Sequence, residues 1–135
     1  MDKVSTPRKF LGLRHVALYA RNLEACVHFY TQILGMTVIW QPDADNIYLS
    51  SGTDNLALHR AQPGFSPNQE HQHLDHLGFF LKEKADVDIW HEHLKAHEVL
   101  ISAVPKDHRD GARSFYCLDP DGNSVQLIWM PGIAA

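Results

Sequence analysis

Hydrophobic and polar positions along the chain follow two rhythms, and the two rhythms alternate in the same order twice. From Leu13 to Ala20, Val16 and Leu18 share one side while His15, Ala17 and Tyr19 share the other, the period-two alternation of a half-buried strand. From Leu23 to Leu34 the spacing changes, and Cys26, Phe29, Tyr30, Ile33 and Leu34 form one helical stripe. Asn22 is placed to cap that helix, because its side-chain oxygen can accept from free backbone N–H groups. Gly35 stands where a left-handed residue would end it. Met36–Trp40, Asn46–Ser50 and Asn55–Arg60 then predict three short strands, with turns at Pro42-Asp43 and Gly52-Thr53-Asp54.

Residues 61–74 hold Pro63, Gly64, Pro67 and Asn68 and read as a connecting loop. Beyond it the order recurs. A strand is predicted at 75–81, a helix at 84–97 with Val87, Trp90 and Leu94 on one stripe, and strands at 99–104, 113–118 and 124–129. Asp119-Pro120-Asp121-Gly122 is a tight-turn sequence between the last two. His15 and His76 occupy matching places 61 positions apart. The pattern predicts an α+β protein of two paired βαβββ modules, at about 11–61 and 74–130, within a single domain over 1–135. Each module buries one face of its sheet under its own helix, which leaves the helices on the outer face.

Composition narrows the classes. With 135 residues, 44% hydrophobic and 21% charged, the chain has material for a core and is neither disordered nor of low complexity. No apolar run approaches the roughly 20 residues of a membrane helix, so no membrane partner is expected. Met1 to Ser5 has no apolar segment of the secretory kind, and two cysteines, Cys26 and Cys117, make no disulfide scaffold. A reduced, cytoplasmic protein is expected. A net charge of −4 without a basic run argues against a nucleic-acid partner.

The ten histidines are the unusual count. Strand parity puts His15, His59, His76 and Gln126 on the face away from the helices, together with Tyr19, Phe80 and Ile128, which describes a pocket with convergent polar groups. Parity alone leaves two readings open: histidines kept for hydrogen bonding on a sheet face, or ligands of a metal ion. His71 and His73 read as solvent-facing, His93 and His97 as part of a solvated helix face, and Cys117 as packed. No Ser-His-Asp order or phosphate-loop pattern is present.

Four segments carry a resemblance: 13–18 (Leu-Arg-His-Val-Ala-Leu), 29–36 (Phe-Tyr-Thr-Gln-Ile-Leu-Gly-Met), 75–79 (Asp-His-Leu-Gly-Phe), and 114–127, which holds Ser114, Tyr116, the Asp119-Pro120-Asp121-Gly122 turn and Gln126. Together they resemble the vicinal oxygen chelate superfamily of glyoxalase I, extradiol dioxygenases, fosfomycin-resistance enzymes and bleomycin-binding proteins, over roughly residues 11–130. The resemblance implies a U-shaped cleft, a homodimer, and a divalent metal (Ni, Zn, Mn or Fe(II)) that holds two adjacent substrate oxygens. It implies His15 and His76 as ligands. The eighth-strand ligand, Glu in the family, falls on Gln126. The glyoxalase-type fourth-strand Glu falls near Ala57, which cannot ligate, and His59 is the substitute on the same face.

On this reading Tyr116 and Gln126 are catalytic, and Tyr19, Phe80, Ser114 and Tyr116 bind substrate. Lys106, eight residues before Ser114, falls where the fosfomycin-resistance enzymes place a phosphonate-binding lysine. The missing Glu removes the glyoxalase proton shuttle, and the amide at 126 disfavours ring-cleaving oxygenation. Two functions are implied. One is a metal-dependent enzyme acting on a small oxygenated substrate by Lewis-acid catalysis, of isomerase, lyase or dioxygenase type. The other is a metal-free small-molecule-binding protein of the bleomycin-resistance kind.

Overall fold

A computed structural model describes residues 6–64 and 74–132. His71, His73 and most of the predicted loop lie outside the described residues. Strand β1 (His15–Ala20) leads into helix α1 (Leu23–His28), where Asn22 Oδ1 accepts from Ala25 N at 3.0 Å as the cap requires. The predicted helix continues to Ile33, but Phe29–Ile33 widens into a π-helical turn. The Thr31 hydroxyl donates to Val27 O at 2.6 Å, and the backbone N–H of Leu34 reaches back five residues to Phe29 O at 2.9 Å. The hydroxyl thus occupies the i−4 carbonyl within the widened turn, a competition that loosens the regular helical ladder. Gly35 closes the segment at φ 86°, a left-handed conformation that glycine adopts without a Cβ penalty.

Strands β2 (Thr37–Asp43), β3 (Asn46–Ser50) and β4 (Asn55–Arg60) complete a mixed sheet in the order β1-β4-β3-β2, with β1 parallel to β4. The predicted turn at Pro42-Asp43 is instead the end of β2, and the chain reverses at Ala44-Asp45. Proline is tolerated because β2 is the edge strand, where its missing N–H breaks no ladder bond. The second unit repeats the plan with β5 (Leu77–Phe80), α2 (Asp86–Ala96), β6 (Ile101–Asp107), β7 (Arg113–Leu118) and β8 (Ser124–Trp129), in the order β5-β8-β7-β6. Here β5 runs parallel to β8. Strand β6 extends three residues past the predicted Val104 through Pro105, again on an edge.

One continuous apolar cluster joins the units, with Leu18, Phe29, Tyr30 and Leu58 from the first and Val87, Leu94, Phe115 and Leu127 from the second. The join is also polar. Asp119 Oδ2 accepts from the Tyr30 hydroxyl at 2.8 Å and from Asn123 Nδ2 at 2.9 Å, while its Oδ1 accepts from the backbone N–H groups of Asp121 and Asn123, both at 2.9 Å. Asp121 Oδ1 accepts from Arg21 N at 2.9 Å, one residue before the α1 cap. The turn between β7 and β8 therefore grips the start and middle of the first unit's helix. His93 Nε2 on α2 adds a donation to Ile33 O at 3.0 Å, satisfying a carbonyl at the helix end. No described helix is long and apolar enough to cross a membrane.

Candidate functional site

Alternation along β1 turns Val16, Leu18 and Ala20 toward the core and leaves His15, Ala17 and Tyr19 exposed on the open face. Register then fixes their neighbours: Tyr19 lies beside His59 on β4, which lies beside Asn46 on β3, and Ala57 lies beside Tyr48. Trp40 of β2 stacks on Tyr48 with ring centroids 4.9 Å apart, and Tyr48 meets His59 nearly edge-on at 6.0 Å. The first sheet thus presents an aromatic floor with His15 at one end.

The second sheet presents polar groups. Gly78 pairs with Gln126, Gln126 with Tyr116, and Ser114 with Lys106. His76, just ahead of β5, meets the Tyr116 ring edge-on at 5.3 Å. A cleft of about 570 Å³ opens beside them, lined by residues 106–110 together with Tyr116, Gln126 and Ile128. Asp107 there is matched by Arg113 at 3.1 Å and Lys84 at 3.7 Å, whereas Lys106 and Arg109 have no ion-pair partner among the described residues.

The candidate histidines share one feature. His15 Nδ1 donates to Asn55 Oδ1 at 2.8 Å, His59 Nδ1 to Asn46 Oδ1 at 2.6 Å, and His76 Nδ1 to Asp75 Oδ2 at 2.6 Å. An oxygen at Nδ1 holds the proton there and leaves the Nε2 lone pair outward, the arrangement in which imidazoles bind metal or accept a proton.

The structure brings His76, Ser114, Tyr116 and Gln126 together on the second sheet and keeps His15 and His59 on the first. Among the described residues no three His, Cys, Asp or Glu side chains converge on one point, so His15, His59 and His76 are not a trio within one chain. His59 also sits four register positions along from His15, roughly 13 Å at ordinary strand rise. Its ring packs into the aromatic floor. Ser114, expected to offer its hydroxyl to substrate, is 1% exposed and is instead held between Gln126 Nε2 at 3.0 Å and His108 Nε2 at 2.7 Å. Tyr19 and Phe80 stand exposed on their sheets. Cys26 and Cys117 are buried, and burial above all pushes both thiols up to about 12, so neither is a nucleophile near neutral pH.

His108 and Asn55 escaped the sequence reading. Asn55 carried a signal, since a polar residue beside His15 on a parallel neighbour can orient its ring. His108 lies in an irregular segment without periodicity, and only the fold brings it to Ser114.

The chain matches the model of the Glyoxalase/Bleomycin resistance protein/Dioxygenase superfamily over residues 12–127. It is 31% identical over 124 residues to an uncharacterized protein of Pseudomonas aeruginosa, covering 87% of each chain. It is 27% identical over 118 residues to the metallothiol transferase FosB of Staphylococcus haemolyticus, covering 86% of this chain and 81% of that one. Among solved structures, lactoylglutathione lyase from Agrobacterium tumefaciens superposes with a TM-score of 0.74 at 24% identity, over 90% of this chain and 96% of that one.

Proposed function

The chain belongs to the Glyoxalase/Bleomycin resistance protein/Dioxygenase superfamily, and from that premise we propose that it is a divalent-metal-dependent enzyme acting on a small oxygenated substrate. The observation that carries this reading is the pair His15 and His76, each with Nδ1 held by an oxygen and Nε2 left outward. With Gln126 Oε1 beside His76, and His15 supplied by the facing sheet of a second copy, they would make a set of two imidazole nitrogens and one amide oxygen, which fits Zn, Ni, Fe(II) or Mn. The set is neutral, so a bound ion would keep its full charge for the substrate oxygens. When bound, the metal supplies a Lewis acid that polarises a substrate oxygen.

The chain's own residues do the rest. The Tyr116 hydroxyl, beside His76 and without a hydrogen-bond partner among the described residues, holds or releases a proton at the substrate. Lys106 and Arg109, unpaired at the cleft, bind an anionic substituent. An amide at position 126 cannot shuttle a proton, which favours group transfer, the class named for the staphylococcal relative, over glyoxalase-type isomerisation.

A homodimer completes the site. Among the described residues the two sheets share no hydrogen-bonded strand pair, and Tyr19 (63%), Trp40 (58%) and Phe80 (58%) stand exposed on the open faces. A second copy would set a His15 face against a His76 face. The second reading, metal-free ligand binding, draws on the Trp40–Tyr48 stack, a platform for a planar ligand.

The test is the metal content of the full chain after incubation with Zn, Ni, Mn or Fe(II), beside His15→Ala and His76→Ala. Near-stoichiometric metal is expected in the parent and its loss in both variants, each with an unchanged circular dichroism spectrum. Absence of metal from the parent would overturn the enzyme reading in favour of ligand binding.

A further inference from the structure

The two ends of a carboxamide are chemically opposite: the oxygen accepts or ligates, and the nitrogen only donates. Which end of Gln126 faces the cleft therefore decides what that position binds. In the structure Nε2 donates to Ser114 Oγ at 3.0 Å, and Ser114 Oγ lies 2.7 Å from His108 Nε2. A serine hydroxyl has one hydrogen. Ser114 Oγ accepts from Gln126, and among the described residues His108 Nε2 is the one other partner of this buried hydroxyl, so its single hydrogen goes to Nε2 and the neutral ring carries its proton on Nδ1. The bonds run in one direction, from Gln126 N–H to Ser114 and from Ser114 O–H to His108. Turning the amide over would require Ser114 to donate to Oε1 and His108 to donate from Nε2, so both partners would have to reverse.

The oxygen end is left uncovered. Oε1 has no partner among the described residues. Gly78 pairs with Gln126 across β5 and β8, and a Cβ there would stand 3.7 Å from Oε1. Glycine keeps that oxygen open toward β5, two residues from His76.

We propose that Ser114, set by His108, is a positioning residue that keeps the Gln126 carboxamide oxygen facing the cleft, so that this position takes a cation or an O–H or N–H donor of the ligand and rejects an oxyanion. The cation rests on the metal-dependent reading above. The orientation of the amide rests on the hydrogen bonds alone.

The test uses Co(II) alone as probe and four full-length proteins: the parent, Ser114→Ala, Gln126→Glu and the double variant. A carboxylate presents an oxygen whichever way it turns and needs no positioning. Ser114→Ala is therefore expected to weaken Co(II) binding by about 10- to 100-fold in the parent, the usual cost of losing a residue that orients a ligand. In the Gln126→Glu background the same change should have little effect. Equal losses in the two backgrounds, or none in the parent, would overturn the proposal.

Nitrogen-15 NMR of the metal-free protein at mildly alkaline pH is the second readout. His108 is expected to carry its proton on Nδ1 in the parent and on Nε2 in Gln126→Glu, because a carboxylate there takes the serine hydrogen. A protonated Nε2 in the parent sinks the proposal. If no protein binds cobalt but His108 shows the expected tautomers, the metal reading fails and the orientation of the amide stands, as an acceptor for a ligand donor.

Discussion

At the tip of the β7–β8 hairpin the Asp119 carboxylate, 4% exposed, accepts four hydrogen bonds, all from this chain. Farther down the same hairpin, Tyr116 and Gln126 face the cleft half-buried, with a hydroxyl and an amide oxygen that no described residue uses. Both ends are polar and both belong to the segment that carries the family resemblance. They differ in satisfaction. A buried polar group whose bonds are all met within the chain is holding the structure, and one left open toward a cleft is available to a ligand. The Asp119 end joins two modules, and the Gln126 end belongs to the candidate chemistry.

The largest expected effect lies at the tip. Asp119→Ala would strand the Tyr30 hydroxyl and the N–H groups of Asp121 and Asn123 in a buried place, at a cost of about 3 kcal/mol or more. Urea denaturation measures it. Tyr30→Phe removes one of the four bonds and should cost about 1 to 2 kcal/mol. Protein that remains folded should bind Co(II) as the parent does. A loss of cobalt affinity in folded Asp119→Ala would break the division between the two ends.

An intermediate effect appears at alkaline pH, and it belongs to the buried side alone. Burial first, then the nearby Asp119, pushes the Cys117 and Cys26 thiols from 9.0 up to about 12, and the same causes raise Tyr30 well above its ordinary value. The folded chain thus keeps protons that the unfolded chain gives up near pH 9.0. Stability from the two thiols is fully present below that value and falls as pH rises from 9.0 toward about 12. Urea midpoints across that range should decline, and less steeply in Cys117→Ala. A flat profile would show that the thiols titrate alike in both states.

The same division marks what the sequence could tell. Asn22 and Gly35 were legible because a cap and a left-handed end are local requirements of one residue type. Strand parity placed His15, His76 and Gln126 on the open faces for the same reason. Pro42 misled, because proline beside Asp reads locally as a turn and is excluded from central strands, whereas being at an edge is a property of the whole sheet. The π-helical turn at Phe29–Ile33 was hidden in the choice of one Thr31 hydroxyl between solvent and a carbonyl. Asp119 was legible as part of a family phrase but not as a clamp, since its Tyr30 partner is 89 positions away. His108 was out of reach for the reverse reason: its partner Ser114 is near in sequence, but the segment between them has no periodicity to read.

The smallest effect tests the open end most directly. Gly78→Ala adds a Cβ 3.4 Å from Gln126 O and 3.7 Å from Oε1, ordinary contacts at a position where glycine is not required by a left-handed backbone. Stability should stay within about 0.5 kcal/mol of the parent. Co(II) affinity should fall a few-fold, because the methyl shields the oxygen that Ser114 holds outward. Gly78→Val, with more bulk over the same atom, should lower it further at similar stability. The order parent, Ala, Val in affinity, with no matching order in urea midpoint, would sharpen the contrast between the hairpin's two ends. Affinity that is indifferent to position 78 would mean that the ligand reaches the cleft from a side Gly78 does not border, and that the open amide oxygen is not where binding is decided.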